Sequence, residues 1–428
     1  MRLVNARSVE DQLLTIEINS GMFSSVEVQD STVSPNAGEV DLGGDLVIPG
    51  LVDIHVHSRD PGHTHKEDWK SLSRSAFKGG VTLVCDMPNT SPPTMSLEQV
   101  KAKAEIASQG GVDFRFYMGV GAANIDALAD ILKDLEHPLC GLKVYYGQST
   151  GELMYDDLEK LASAIPPDFK GILAFHSEDQ CCIDHNQDKF DPQSIENPKG
   201  FEVHSKIRSS ESAHRSTQAI LDWGLKHNIK IHIAHLSTPK EIEMIKEARA
   251  KGLNATSEVA PHHLVFSTDD YERLGSLIKM NPPVRSPEEV EEMQRAFGRG
   301  DIEVFATDHA PHTRDEKAEK AYGRCPSGVP AVEFFAPMLL TLAERYGLSL
   351  EAGVRMGAEA PTALLGLTDR GSIEVGKRAD LVVLEKGRFP ISGDDIASKC
   401  GWTPYEGMEM NYRVLKTWSN GVLVFEQT

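Results

Sequence analysis

The feature that most constrains this chain is an alternation along its middle. Eight short runs rich in apolar and β-branched residues, GLVDIHVH, VTLVCDMPN, DFRFYMGVG, GLKVYY, ILAFHSE, KIHIAHLS, NATSEV and EVFATDH, follow one another in order. Helical patterns such as SLEQVKAKAEIASQG, STQAILDWGLKHN and PKEIEMIKEARAKG lie between several of them, with Ser or Pro near their starts and Gly or Asn near their ends. Strands alternating with helices are what parallel α/β folds require. Eight such strands predict an α/β fold of the (β/α)8 TIM type.

The flanks read differently. The first fifty residues break into short apolar pieces such as LLTIEI and SSVEVQD separated by Gly, Asn, Ser and Pro, and the tail continues alike in GSIEVGKRADLVVLEKG and RVLKTWSNGVLVFE. Asn420-Gly421 has the form of a hairpin turn. Neither end alone buries much apolar surface, so both are expected to pair into one small β-sandwich domain, residues 1–50 with 366–428, leaving 51–365 for a metal-dependent barrel.

In such barrels the chemistry sits at the C-terminal ends of the strands, so polar residues that end strands should be the reactive ones. His55 and His57, Asn89, Lys143, His176, His235 and Asp308 all fall at or near such ends. Side chains at i and i+2 of a strand share a face, so His55 and His57 can reach one ion together. In IKIHIAHLS the same alternation puts His235 with Ile231 and Ile233 and turns His232 the other way, which predicts His235 as the ligand and His232 as packed or solvated between barrel and helix. His176, placed like His235, is a further candidate. Lys143 allows two readings, an ion-pair lysine or a lysine carboxylated to a carbamate whose two oxygens bridge metals, because a buried ammonium without a partner is costly. Asp308 in ATDHAPH can both bind a metal and exchange a proton with bound water. Imidazoles with a carboxylate suit zinc better than magnesium or calcium, and two zinc ions would bring the pKa of a shared water from ~15.7 towards ~7. Metal-assisted attack on a carbonyl is the implied reaction class.

Composition narrows the surroundings. With 44 basic against 64 acidic residues the net charge is −20, which disfavours nucleic acid and anionic membranes as partners and requires a local positive pocket for any anionic substrate. Six cysteines without a CxxC or a regular spacing predict reduced thiols. The segment MRLVNARSVEDQ has no apolar core of a secretion signal and no run approaches a membrane span, so a soluble cytoplasmic protein is expected.

Taken in order, VIPGLVDIHVHSRDPG, CDMPNTSPPT, GLKVYYGQSTG, FHSED, IAHLST, KMNPPVRS, ATDHAPHT and GSIEVGKRADLVVL resemble the amidohydrolase superfamily and, within it, the dihydroorotase family. The resemblance implies two zinc ions per subunit, one held by His55, His57 and Asp308 and the other by His176 and His235, bridged by carboxylated Lys143 and a hydroxide. It favours the carbamate over the ion pair at Lys143. It implies a carboxylate clamp of Arg59, Asn89 and His312, and contacts to the ring amides from Asn281 and the backbone of Ser327 and Gly328. The implied reaction is the reversible interconversion of N-carbamoyl-L-aspartate and L-dihydroorotate in pyrimidine biosynthesis. The bridging hydroxide attacks the cyclic amide, and Asp308 carries the proton to the leaving nitrogen. A homo-oligomer such as a dimer, and association with an aspartate transcarbamoylase, belong to the same expectation.

Ser58 and Ala331 depart from the family pattern and bear on the loop over the substrate. His185, in the insert CCIDHNQDKFDPQSIENPKG, is read as solvated, and His262 and His263 as supports rather than ligands. The rival readings are a hydantoinase, dihydropyrimidinase or allantoinase on the same scaffold, against which Arg59 argues, and a non-enzymatic relative, against which the filled ligand positions argue.

Overall fold

A computed structural model describes residues 1–132, 138–149, 153–190, 200–319 and 321–427. Residues 191–199 of the acidic insert, and Thr150 and Gly151 of GQSTG, lie outside the described residues. Eight parallel strands form the barrel: β1 Leu51–Val56, β2 Val81–Asp86, β3 Asp113–Gly119, β4 Leu139–Tyr145, β5 Ile172–His176, β6 Ile231–Ile233, β7 Ala255–Val259 and β8 Val304–Phe305. Each pairs with its neighbour in chain order. The ring is drawn together between its first and last strands by a parallel bridge from Val56 to His309, where the His57 amide donates to the His309 carbonyl at 2.8 Å.

The helices between strands start and stop for local reasons. Pro239–Ala250 opens on a capping box in which Thr238 and Glu241 satisfy each other's backbone amides. Ser210–His227 ends where Asn228 takes a left-handed conformation, φ 53°, which asparagine tolerates better than most residues. Inside the barrel, Val52, Ile54, Leu83, Cys85, Tyr117, Ala174, Val304 and Ala306 form one apolar cluster, joined from below by Leu364 of the helix Glu359–Leu364. Removing such a side chain, as in Leu83→Ala, costs about 2–5 kcal/mol. The apolar fill occupies the lower barrel, so polar groups converge above it, at the strand C-termini.

The two chain ends meet in one sheet. Leu46–Pro49 pairs antiparallel with Leu381–Pro390, which joins the N-terminal strands Arg2–Arg7, Leu13–Asn19 and Met22–Gln29 to the C-terminal strands Glu409–Ser419 and Val422–Glu426, and a bridge from Met22 to Arg378 ties the two ends again. The sheet is antiparallel except where Arg2–Arg7 runs parallel to Val40–Asp41 and to Leu46–Pro49. Asn420 and Gly421, at φ 51° and 74°, form the turn between the last two strands, as a type I′ hairpin requires. Among the described residues no helix is long and apolar enough to cross a membrane.

Candidate metal centre

The end of β1 carries the first pair. His55 Nε2 and His57 Nε2 lie 3.3 and 3.1 Å from the same oxygen of Asp308, which follows β8. One ligand atom from each of these three residues lies within 4.8 Å of the other two. The orientation of each ring is set from behind. His57 Nδ1 is 2.6 Å from Asn89 Oδ1 after β2, and His55 Nδ1 is hydrogen-bonded to Glu258 of β7. A ring that gives its Nδ1–H away presents the Nε2 lone pair to an ion.

The second pair comes from β5 and the segment after β6. His176 Nδ1 and His235 Nε2 are 3.1 Å apart, and the His235 ring centroid is 5.2 Å from that of His55. Glu178 takes the Nε2–H of His176 at 2.9 Å and is itself paired with Arg208. Here the structure corrects the strand alternation. Ile231 and Ile233 belong to the core shared with the outer helices, with Ile231 Cδ1 3.4 Å from where a Cβ would stand on Gly224. His232 points inward beside Ala174 and hydrogen-bonds Glu258 at 3.2 Å. His235 reaches the site because β6 has already ended at Ile233 and its own backbone turns to φ 35°. Parity counts only while a strand stays extended.

Lys143 lines the same cavity as both pairs, is 1% exposed, and its Nζ has no hydrogen-bond partner among the described residues. Among the described residues no carboxylate forms an ion pair with it. Burial lowers its pKa to about 8, against the opposing pull of Glu258 and Asp308. Burial likewise pushes His57 down to about 4, so its ring is neutral at pH 7. For Asp308 burial works upward, but His55 and His57 outweigh it and hold the carboxyl well below the usual carboxylate range. His235 Nδ1 is also buried and unpartnered among the described residues. Orphaned buried nitrogens are costly unless something joins them. Imidazoles and a carboxylate form a donor set that fits a divalent ion.

Above this floor opens a cleft of about 1080 Å³. Arg59 stands at its base, with φ 64°. Its Nε–H donates to the Pro311 carbonyl at 2.9 Å and its Nη2 lies 3.1 Å from His312 Nε2. The turn that carries it is fixed by Ser58, whose amide and hydroxyl each donate to buried Asp86 at 2.7 Å, with Lys103 paired to Asp86 at 2.6 Å. The small residue at position 58 thus has a structural use. Asn281 Oδ1 is 3.0 Å from His204 Nε2. Ser327 and Gly328 are held by Lys317, whose ammonium donates to the carbonyls of Lys279, Pro326 and Gly328 at 3.0, 3.0 and 3.1 Å. Gly328 has φ 136°, and a Cβ there would lie 2.5 Å from the Ala310 carbonyl oxygen.

Ten of the twelve residues expected at the site line one cavity: His55, His57, Arg59, Lys143, His176, His235, Asn281, Asp308, Ser327 and Gly328. Asn89 and His312 line the cleft above it. Glu258, Glu178, Asp86 and Lys317 are not among the residues expected at the site, although Asp86 is the last residue of β2. The signal that marks the first three is a carboxylate within, at the end of or just after a buried strand. His185 is exposed, and His263 gives its Nε2–H to the Pro282 carbonyl at 3.0 Å.

The model of the amidohydrolase family matches residues 46–424. A dihydroorotase from Halobacterium salinarum is 39% identical over 86% of this chain and 84% of its own. An allantoinase from Streptomyces avermitilis is 30% identical over 95% of this chain and 90% of its own. Among solved structures, L-hydantoinase (dihydropyrimidinase) from Arthrobacter aurescens superposes with a TM-score of 0.90 at 25% identity, covering 99% of this chain and 96% of the other.

Proposed function

Because the chain belongs to the amidohydrolase family, we propose that it is a zinc-dependent dihydroorotase, opening L-dihydroorotate to N-carbamoyl-L-aspartate and closing it again. The observation that carries the choice of substrate is Arg59. A buried guanidinium beside the His–Asp–Lys floor is suited to a substrate that bears a carboxylate, and hydantoin, dihydrouracil and allantoin bear none. Dihydroorotase relatives support the same reading.

His55, His57 and Asp308 would hold one zinc ion, His176 and His235 the other, and carboxylated Lys143 would bridge them. When bound, such a pair acidifies water and polarises a carbonyl. Arg59 binds the substrate carboxylate, with Asn89 and His312 beside it. Asn281 and the Ser327–Gly328 backbone receive the ring amides and set the scissile carbonyl over Asp308. As the C–O bond forms and the ring C–N bond breaks, the Asp308 carboxylate accepts the proton of the attacking water and delivers it to the leaving nitrogen. Ring closure runs the same transfers in reverse. The same reading has the enzyme working in the cytoplasm as a homo-oligomer on small anions.

Zinc-loaded protein assayed on dihydroorotate, hydantoin, dihydrouracil and allantoin tests the proposal. Dihydroorotate should be turned over best, and fast cleavage of an uncharged ring with none of dihydroorotate would reject it. Arg59→Ala should raise the KM for dihydroorotate by about 10- to 200-fold, the value of a charge-assisted pair, with zinc content unchanged. Unaltered kinetics would remove the clamp.

Carboxylation needs the neutral amine of Lys143. With a pKa lowered to about 8, about one lysine in ten is neutral at pH 7 and most are neutral at pH 9. Reconstitution of metal-free protein with zinc at a fixed concentration of dissolved carbon dioxide should therefore quicken as pH rises through about 8. A loading rate indifferent to pH and to carbon dioxide would count against the carbamate.

A further inference from the structure

Glu258 lies on β7 and is 1% exposed. Its two oxygens meet histidines from two other strands and the segment that follows one of them. Oε1 accepts from His55 Nδ1–H and from the backbone N–H of His235, the latter at 3.2 Å. Oε2 accepts from His232 Nε2–H at 3.2 Å, and His232 Nδ1 lies 3.0 Å from the Thr256 hydroxyl.

We propose that Glu258 is the positioning residue of the whole metal centre: it fixes the tautomer of His55 and anchors the backbone where His235 turns inward, so one carboxylate sets one ligand of each ion site. The inference rests on the two-ion reading above. Two physical requirements meet at this side chain. His55 must give away its Nδ1–H for its Nε2 to face an ion. His235 must hold φ 35°, which an ordinary residue adopts only when its surroundings enforce it, and the hydrogen bond to its N–H is one such restraint. His232 occupies the second oxygen and so keeps the carboxylate from rotating away. Glu178, by contrast, serves only His176 among the ligands, so the two carboxylates have different reach.

The test strips the protein with a chelator and titrates wild type, Glu258→Leu, Glu258→Gln and Glu178→Gln with zinc against a chromophoric competitor, then with cobalt by visible spectroscopy. Glu258→Leu should lose about 10- to 100-fold in affinity for both ions together, while Glu178→Gln weakens one. Glu258→Gln should keep both ions. Its carbonyl still serves His55 and His235, and its amide can donate to His232 Nε2 once the Nδ1–H of that ring turns to Thr256. A neutral acceptor behind His55 should nonetheless shift the cobalt bands. The metal-free Glu258→Gln variant should melt near the wild type. Wild-type affinity in Glu258→Leu, or weakening confined to one ion, would overturn the inference. Should Glu258→Leu not fold, an unshifted cobalt spectrum in Glu258→Gln would do the same. A wild type that takes up no metal would overturn the two-ion reading itself, and this inference with it.

Discussion

Lys143→Ala is expected to give a folded protein that has lost most of its metal and nearly all of its activity. The residue sits on β4 with its ammonium facing His176, His235 and Asp308 across one cavity, and its Nζ is without a hydrogen-bond partner among the described residues. A structural lysine so placed would be a liability, since an unpaired buried charge costs several kcal/mol. Removing it should leave the metal-free protein as stable as before or more so. What disappears is the bridge. If the ions contribute several kcal/mol to the transition state, kcat/KM should fall by about a thousandfold or more. Elemental analysis, circular dichroism and an assay on dihydroorotate read the three consequences separately. Full zinc occupancy in the variant would sink the bridging role.

Asp308→Asn is expected to lower kcat by about 10²- to 10⁴-fold, the usual contribution of a positioned acid or base, with a smaller change in KM. The carboxylate lies 3.1 Å from His57 Nε2 and 3.3 Å from His55 Nε2. Held well below the usual carboxylate range, it is ionised across the physiological pH span and ready to accept a proton. An amide in its place keeps an oxygen for an ion but cannot carry a proton between water and the leaving nitrogen. Measuring zinc alongside kcat separates the two roles, because a fall that merely tracks lost metal would argue for ligation alone. A variant with full zinc and near-normal kcat would exclude Asp308 from the proton transfer.

The fold was legible wherever the information was local. Most barrel strands are short apolar runs, and the cap of Thr238 with Glu241 spans only three residues. The pairing of Leu46–Pro49 with Leu381–Pro390 was expected only in outline. Register between segments more than three hundred residues apart depends on how the barrel brings the ends together.

For the site, the sequence by itself determined which residue types end the strands: His55, His57, Lys143, His176 and Asp308 stand where a (β/α)8 barrel exposes side chains to one cavity. Only the tertiary structure decided how they are aimed. His235 enters through a backbone turn after its strand, against the alternation, and His232 faces Glu258 rather than the helices. Glu258 joins His55, His232 and His235 although 203, 26 and 23 residues separate them along the chain. The physical reason is that strand periodicity is a property of neighbouring peptide units. The tautomer and direction of a buried imidazole depend on which acceptor stands behind it, and distant strands supply that acceptor only once the barrel has closed.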